Sequence, residues 1–173
     1  MCGLFALVGA ADAALGRRVA DCLHHRGPDD SGVWTSASGT AVTMASTRLS
    51  IIDLSPGGHM PMLSADGRMV IVYNGEVYNF RELRAELEGL GERFQSHSDT
   101  EVVLAAYRCW GAQCVQHLRG MFAFAIWEMD KRQLFAARDR LGIKPLYWTE
   151  SPRGLAVASE LKGLLAGGLH RAS

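Results

Sequence analysis

The chain has 173 residues, enough for one domain with a sizeable core, and 48% of them are hydrophobic, which excludes an intrinsically disordered protein. Eighteen basic residues balance eighteen acidic ones, so nothing points to non-specific nucleic-acid binding or to a membrane surface, both of which draw on a basic excess. The four cysteines, Cys2, Cys22, Cys109 and Cys114, are too few for a disulfide framework and fit a reducing compartment, the cytoplasm.

No repeat or low-complexity tract interrupts the chain. Gly3 to Leu15 is largely apolar and small, like the core of a signal peptide. No Lys or Arg precedes it, however, and it is too short to span a bilayer, so Leu4 to Val8 is read as a buried strand. Ala13 to His25 carries Leu15, Val19, Cys22 and Leu23 at helical spacing, and Arg26-Gly27-Pro28-Asp29-Asp30 breaks that helix. Ala41 to Ser46 and Met69 to Tyr73 read as strands. Asn79 is placed to cap a helix through Leu90, with Leu83 and Leu87 on one face. Ser98-Asp99-Thr100-Glu101 has capping-box spacing ahead of Val102, Val103, Ala106 and Tyr107. Met121 to Trp127, Leu134 to Ala137, Leu146 to Trp148 and Leu155 to Ala158 are further strands. Short strands outnumber helices without a regular βαβ alternation, which favours a layered α+β fold.

Cys2 follows directly on Met1, and initiator methionine is normally removed ahead of a small residue. Removal leaves Cys2 with a free α-amine, whose ordinary pKa of about 8 lets it be partly neutral at cellular pH. An N-terminal amine can serve as base for the nucleophile on its own residue. Neither Cys22 with His24 and His25 nor Cys109 with Cys114 has a zinc spacing, so those three thiols are read as core or surface residues.

Four polar islands interrupt apolar segments: His25 to Asp29, Arg48 to Asp53, Tyr73 to Asn79 and Ser98 to Glu101. Taken singly, each has a structural reading. Asn74-Gly75 is a hairpin-turn pair, Ser98 a helix cap, and Arg48 a surface charge on a strand.

Together with Met1-Cys2-Gly3-Leu4-Phe5 they resemble the class II glutamine amidotransferase domain, and within it the N-terminal glutaminase domain of glutamine-hydrolysing asparagine synthetases. Gly120 to Phe124, Arg138 to Tyr147 and Ser159 to Lys162 match the same family further on. The resemblance runs from Cys2 to about Leu165. It implies a domain over 2–165 and a tail over 166–173 that leads toward a synthetase domain. The implied fold is an α+β, four-layer αββα sandwich of the N-terminal nucleophile hydrolase type.

The resemblance also implies roles. Cys2 attacks the side-chain amide of L-glutamine, with its α-amine as base and then acid, giving ammonia and a glutamyl thioester that water cleaves to glutamate. The Asn74 side-chain amide and the Gly75 backbone N–H bind the oxyanion. Arg48 clamps the substrate carboxylate, Asp99 and Glu76 receive its ammonium, and backbone groups of Ile51 and Ile52 add hydrogen bonds. One Arg for one anion and acids for one cation suit a free amino acid. Gly75 is expected to let the backbone approach closely. Two departures from the family pattern are Ala6, where glycine is common, and Met60, where glutamine is usual.

Neither the Ser-Gly-Gly-x-Asp-Ser loop of the synthetase domain nor a Gly-x-x-x-x-Gly-Lys loop occurs in the chain. The expectation is a glutaminase without bound cofactor, with ATP and magnesium acting only in the absent synthetase domain. Its ammonia goes to an asparagine synthetase-like partner or a missing C-terminal domain, and a homo-oligomer stays open. Two alternatives remain: a truncated or regulatory glutamine-binding module with little turnover, and another Cys2 hydrolase acting on a different amide.

Overall fold

The computed structural model describes residues 1–169. In chain order it forms β1 (Gly3–Val8), α1 (Ala13–Leu23), a 3-10 turn (His24–Arg26), β2 (Asp30–Thr35), β3 (Val42–Arg48), β4 (Met62–Leu63) and β5 (Met69–Val77). Then follow α2 (Phe80–Gly89), α3 (Asp99–Trp110), the short α4 (Cys114–His117), β6 (Gly120–Glu128), β7 (Gln133–Arg138), β8 (Tyr147–Ser151), β9 (Gly154–Ala158) and α5 (Leu161–Ala166).

Two antiparallel sheets result, one in the order β2-β3-β1-β9-β8 and the other β4-β5-β6-β7. Both faces of each sheet are apolar, which is what a sheet inside a layered sandwich demands. Leu4, Ala6, Met44, Val70, Val72, Ala123, Ala125 and Val157 pack between the sheets. Phe5, Leu7 and Ala45 on the outer face of the first sheet meet Leu15, Val19 and Leu23 of α1 and Leu164 of α5. Ile71, Tyr73, Phe124 and Ile126 on the outer face of the second meet Leu83, Leu87, Val102, Val103 and Ala106 of α2 and α3. The four-layer αββα sandwich expected from the resemblance is the observed one.

Several local expectations change. The strand expected over Met69 to Tyr73 continues through Val77, and Asn74-Gly75 is no turn, with Asn74 paired to Ala123 and Gly75 to Phe122. Neither residue has the positive φ that an Asn-Gly hairpin turn requires. A Cβ on Gly75 would lie 2.5 Å from the Met121 carbonyl oxygen and 2.7 Å from Phe122 Cα. Glycine is therefore needed there for strand-to-strand approach, not only for approach to a ligand.

Asn79 precedes α2 but makes no capping bond. Its Nδ2 donates to the His117 carbonyl and its Oδ1 accepts from Arg119 N, tying α2 to the entry of β6. Ser98 does cap α3 through Thr100 N, but Glu101 turns back to Gln95 N and Ser96 N instead of Ser98 N. β2, β4, α4 and α5 have no counterpart among the expected elements. Of the tail expected over 166–173, residues 170–173 lie outside the described residues, and Ala166 closes α5.

Candidate active site

The two sheets part at the end where β1 begins and β5 nears its end. Residues alternate faces along β5: Val70 and Val72 point between the sheets, so Asn74 and Glu76 follow on that face. Tyr73 points the other way, toward α3. Cys2, one residue ahead of β1, stands across the opening. A cavity of ≈ 200 Å³ lies between them. All eight residues named from sequence line it: Cys2, Arg48, Ile51, Ile52, Asn74, Gly75, Glu76 and Asp99.

Cys2 Sγ donates to the Leu49 carbonyl at 3.8 Å. Burial pushes its thiol up, opposed in part by the Met1 ammonium and the Arg48 guanidinium. A thiol held protonated at neutral pH needs a base in order to attack.

Asn74 is 1% exposed, and its Nδ2 has no hydrogen-bond partner among the described residues. Such a buried donor costs about 1–3 kcal/mol of stability. An unpaired amide aimed at a cavity beside a thiol has the chemistry of an oxyanion donor.

Asp99 opens α3 and is buried, which raises its pKa above the usual carboxylate range. Its Oδ2 accepts from Tyr73 Oη at 2.7 Å and from Val77 N at 3.0 Å, two bonds that favour the charged form. The carboxylate is thus fixed at the cavity wall, with Glu76 beside it.

Arg48 ends β3 and is also buried. Its guanidinium donates to the Asp53 carbonyl, and to that of Ser55 at 3.2 Å. A side chain on Gly58 would collide with it. Part of the fork expected to clamp a carboxylate is therefore engaged by the 53–58 loop. Asp53 closes that loop through Ser55 N and His97 N.

Among the cavity residues without a role in the sequence reading are Tyr73, Met121 and Lys144. Tyr73 orients Asp99. Met121 forms wall beside Gly75. Lys144 is 6% exposed and has no ion-pair partner among the described residues, although its Arg138 to Tyr147 segment stood out in the sequence. The two departures also find their places. The Ala6 methyl is absorbed between the sheets, and Met60 is buried on the cavity wall, its carbonyl accepting from Ser46 Oγ at 2.6 Å. Of the other thiols Cys114 is buried, Cys109 exposed and Cys22 half-buried. No helix among the described residues is long and apolar enough to cross a membrane.

Comparison with known proteins gives a consistent picture. A family model described as a glutamine amidotransferase domain matches residues 1–172. A putative glutamine-hydrolysing asparagine synthetase of Mycobacterium tuberculosis is 45% identical over 95% of this chain, which covers 28% of that protein. Glutamine-hydrolysing asparagine synthetase 3 of Bacillus subtilis is 44% identical over 86% of this chain and 24% of its own length. The solved glutamine phosphoribosylpyrophosphate amidotransferase of B. subtilis superposes with a TM-score of 0.79 at 22% identity, over 96% of this chain and 44% of that one. The last likeness is one of fold.

Proposed function

The chain belongs to the glutamine amidotransferase domain family, and from that membership we propose that it hydrolyses the side-chain amide of L-glutamine to glutamate and ammonia, with Cys2 as nucleophile. Removal of Met1 frees the Cys2 α-amine. That amine takes the Sγ proton as sulfur bonds to the amide carbon, and Asn74 Nδ2 and the Gly75 N–H receive the negative oxygen. The amine then passes its proton to the leaving nitrogen, ammonia departs, and a glutamyl thioester remains. Water, deprotonated by the same amine, cleaves the thioester to glutamate, and the proton returns to sulfur. Arg48 takes the substrate carboxylate on the edge that the loop leaves open. Asp99 and Glu76 take the ammonium, and Ile51 and Ile52 contribute backbone groups.

The observation that carries this reading is the buried Asn74 amide with nothing to donate to, in the same cavity as Cys2. Glutaminase assay of the purified chain against its Cys2→Ala variant tests it. Turnover is expected to vanish with the thiol, and equal activity in both overturns the assignment. Intact mass should show loss of Met1, and an active protein that retains Met1 rules out the amine as base.

The ammonia is assigned to an asparagine synthetase-like acceptor, a separate chain or a C-terminal domain, in the cytoplasm. Supporting this are the relatives named above, of which the chain spans about a quarter. ATP and magnesium would act in that part, not in the domain over 2–165. The engagement of Arg48 with its own loop favours a second reading, a glutamine-holding module that turns over slowly until a partner rearranges residues 53–58. Calorimetry with glutamine on the Cys2→Ala form separates binding from turnover.

A further inference from the structure

We infer that Glu160 is a positioning residue for the nucleophile: it holds Arg26 against the backbone carbonyl of Cys2, and this clamp orients the terminal thiol and amine. The inference rests on the glutaminase reading. Arg26 Nε donates to the Cys2 carbonyl at 2.9 Å, and Nη1 donates to Glu160 Oε1 at 2.7 Å. The Arg26 side chain is 7% exposed, and its Nη2 has no partner among the described residues. The directed bonds of this guanidinium therefore go to the nucleophile and to Glu160.

Glu160 is itself held. His25 Nε2 lies 3.0 Å from Oε1, and Lys162 Nζ lies 3.4 Å from Oε2. Partial burial works against its charge, but bonds from Arg26, His25 and Lys162 bring its carboxyl down to about 2. The anchor therefore stays charged at neutral pH. Next to it, Ser159 fixes the start of β1. Leu4 N donates to Ser159 Oγ at 3.0 Å, and Ser159 N donates to the Leu4 carbonyl at 3.0 Å. The Arg26 turn cannot drift either, since a Cβ on Gly27 would lie 2.5 Å from the Arg48 carbonyl carbon.

A chain terminus needs such a clamp. Once Met1 is gone, Cys2 has one peptide bond instead of two, and untied termini fray. Its thiol has only the long contact to Leu49. Rotation of the Cys2–Gly3 peptide plane about the Gly3 N–Cα bond would carry the Cys2 carbonyl, amine and sulfur together away from Asn74. A charge-assisted bond to the carbonyl opposes that rotation. The planar fork of arginine can serve carbonyl and carboxylate at once, whereas the point charge of lysine cannot hold both in one geometry.

The test compares Glu160→Ala, Glu160→Asp and Arg26→Lys in the full chain with Met1 processed. Glu160→Ala should lower kcat about 10- to 100-fold, since a misplacement of about 1 Å can cost 10²-fold. KM, and glutamine affinity measured on the Cys2→Ala background, should move less than about twofold, because no substrate contact is lost. Iodoacetamide, followed on the N-terminal peptide by mass spectrometry, should alkylate Cys2 at least about threefold faster as the terminus frays. Glu160→Asp should recover part of kcat. Arg26→Lys should match Glu160→Ala, and the double variant should be no worse than either, as members of one unit behave.

Unchanged kcat and unchanged alkylation in Glu160→Ala overturn the clamp. So does a fall in kcat matched by an equal loss of glutamine affinity. Should Glu160→Ala fail to fold, the isosteric Glu160→Gln is read by the same measures. A wild-type chain without glutaminase activity would overturn the glutaminase reading instead, and the alkylation comparison would still decide the clamp.

Discussion

Asn74→Ala separates a catalytic amide from a structural one. In the folded protein Asn74 is 1% exposed and its Nδ2 is unpaired among the described residues, so the amide is a burden on stability of about 1–3 kcal/mol. Truncation lifts that burden. The volume it leaves joins the existing cavity, so no separate closed void offsets the gain. Stability should stay level or rise by up to about 2 kcal/mol, a Tm gain of up to about 8 °C at roughly 2–4 °C per kcal/mol for a chain of this size. Activity should go the other way. Loss of one oxyanion donor costs about 10²–10³ in kcat, or about 2.7–4 kcal/mol, with KM nearly unchanged because the bond forms only as charge develops on oxygen. Steady-state glutaminase kinetics and a thermal melt on the same preparations read both. Activity within about threefold of wild type, or a melt lowered by more than about 5 °C, would mean that Asn74 serves the fold and not the reaction.

Asp99→Asn should weaken glutamine binding at least about tenfold and leave a glutamine analogue without the α-amine unaffected, as competition in the alkylation assay would report. Because burial raises the Asp99 pKa, glutamine affinity of the wild type should fall already at a pH above the ordinary carboxylate range. The sign for stability is the reverse: the protonated form is favoured by folding, a contribution complete below the unfolded value of 3.8 and lost as pH rises through the folded one. Glu160 behaves oppositely. Its carboxyl drops from 4.5 to about 2 on folding, so its stabilisation is present above 4.5 and lost as pH falls toward 2. Acid titrations should therefore show a shallower loss of stability in Glu160→Gln. Gly75→Ala should destabilise by at least about 2 kcal/mol in a denaturant melt, because the added methyl meets backbone of β6, which cannot yield. A melt unchanged by that methyl would show that the strands can separate there.

The site was legible because the Met1-to-Phe5 start and four polar islands, each with a structural reading when taken singly, together resemble one family in order and spacing. Cys2, Arg48, Asn74, Glu76 and Asp99 stand out from their neighbours, and the fold brings them to one cavity. What stayed hidden depends on partners far away in the chain. Asn74-Gly75 looks like a turn until β6 pairs with it. Asn79 looks like a cap until His117 and Arg119 claim its amide. β2 is an edge strand of half-buried residues, so it lacks the alternation that announces a strand. Arg26 and Glu160 sit 134 positions apart, and nothing local in either segment signals their bond.

Strand β1, which carries Cys2 at its head, is the middle strand of its sheet, flanked by β3 and by β9. The first strand made is thus completed by the last. During synthesis residues 3–8 can gain one neighbour early but must wait for residues 154–158 to emerge before their second edge is covered. Pairing of such distant segments is intrinsically slow, and a bare apolar edge is a template for other chains. Any fragment that stops short of Gly154 should expose that edge and aggregate. Cys2 also reaches its final setting only when nearly all of the domain has been translated, so the cavity it lines is assembled at the end of folding.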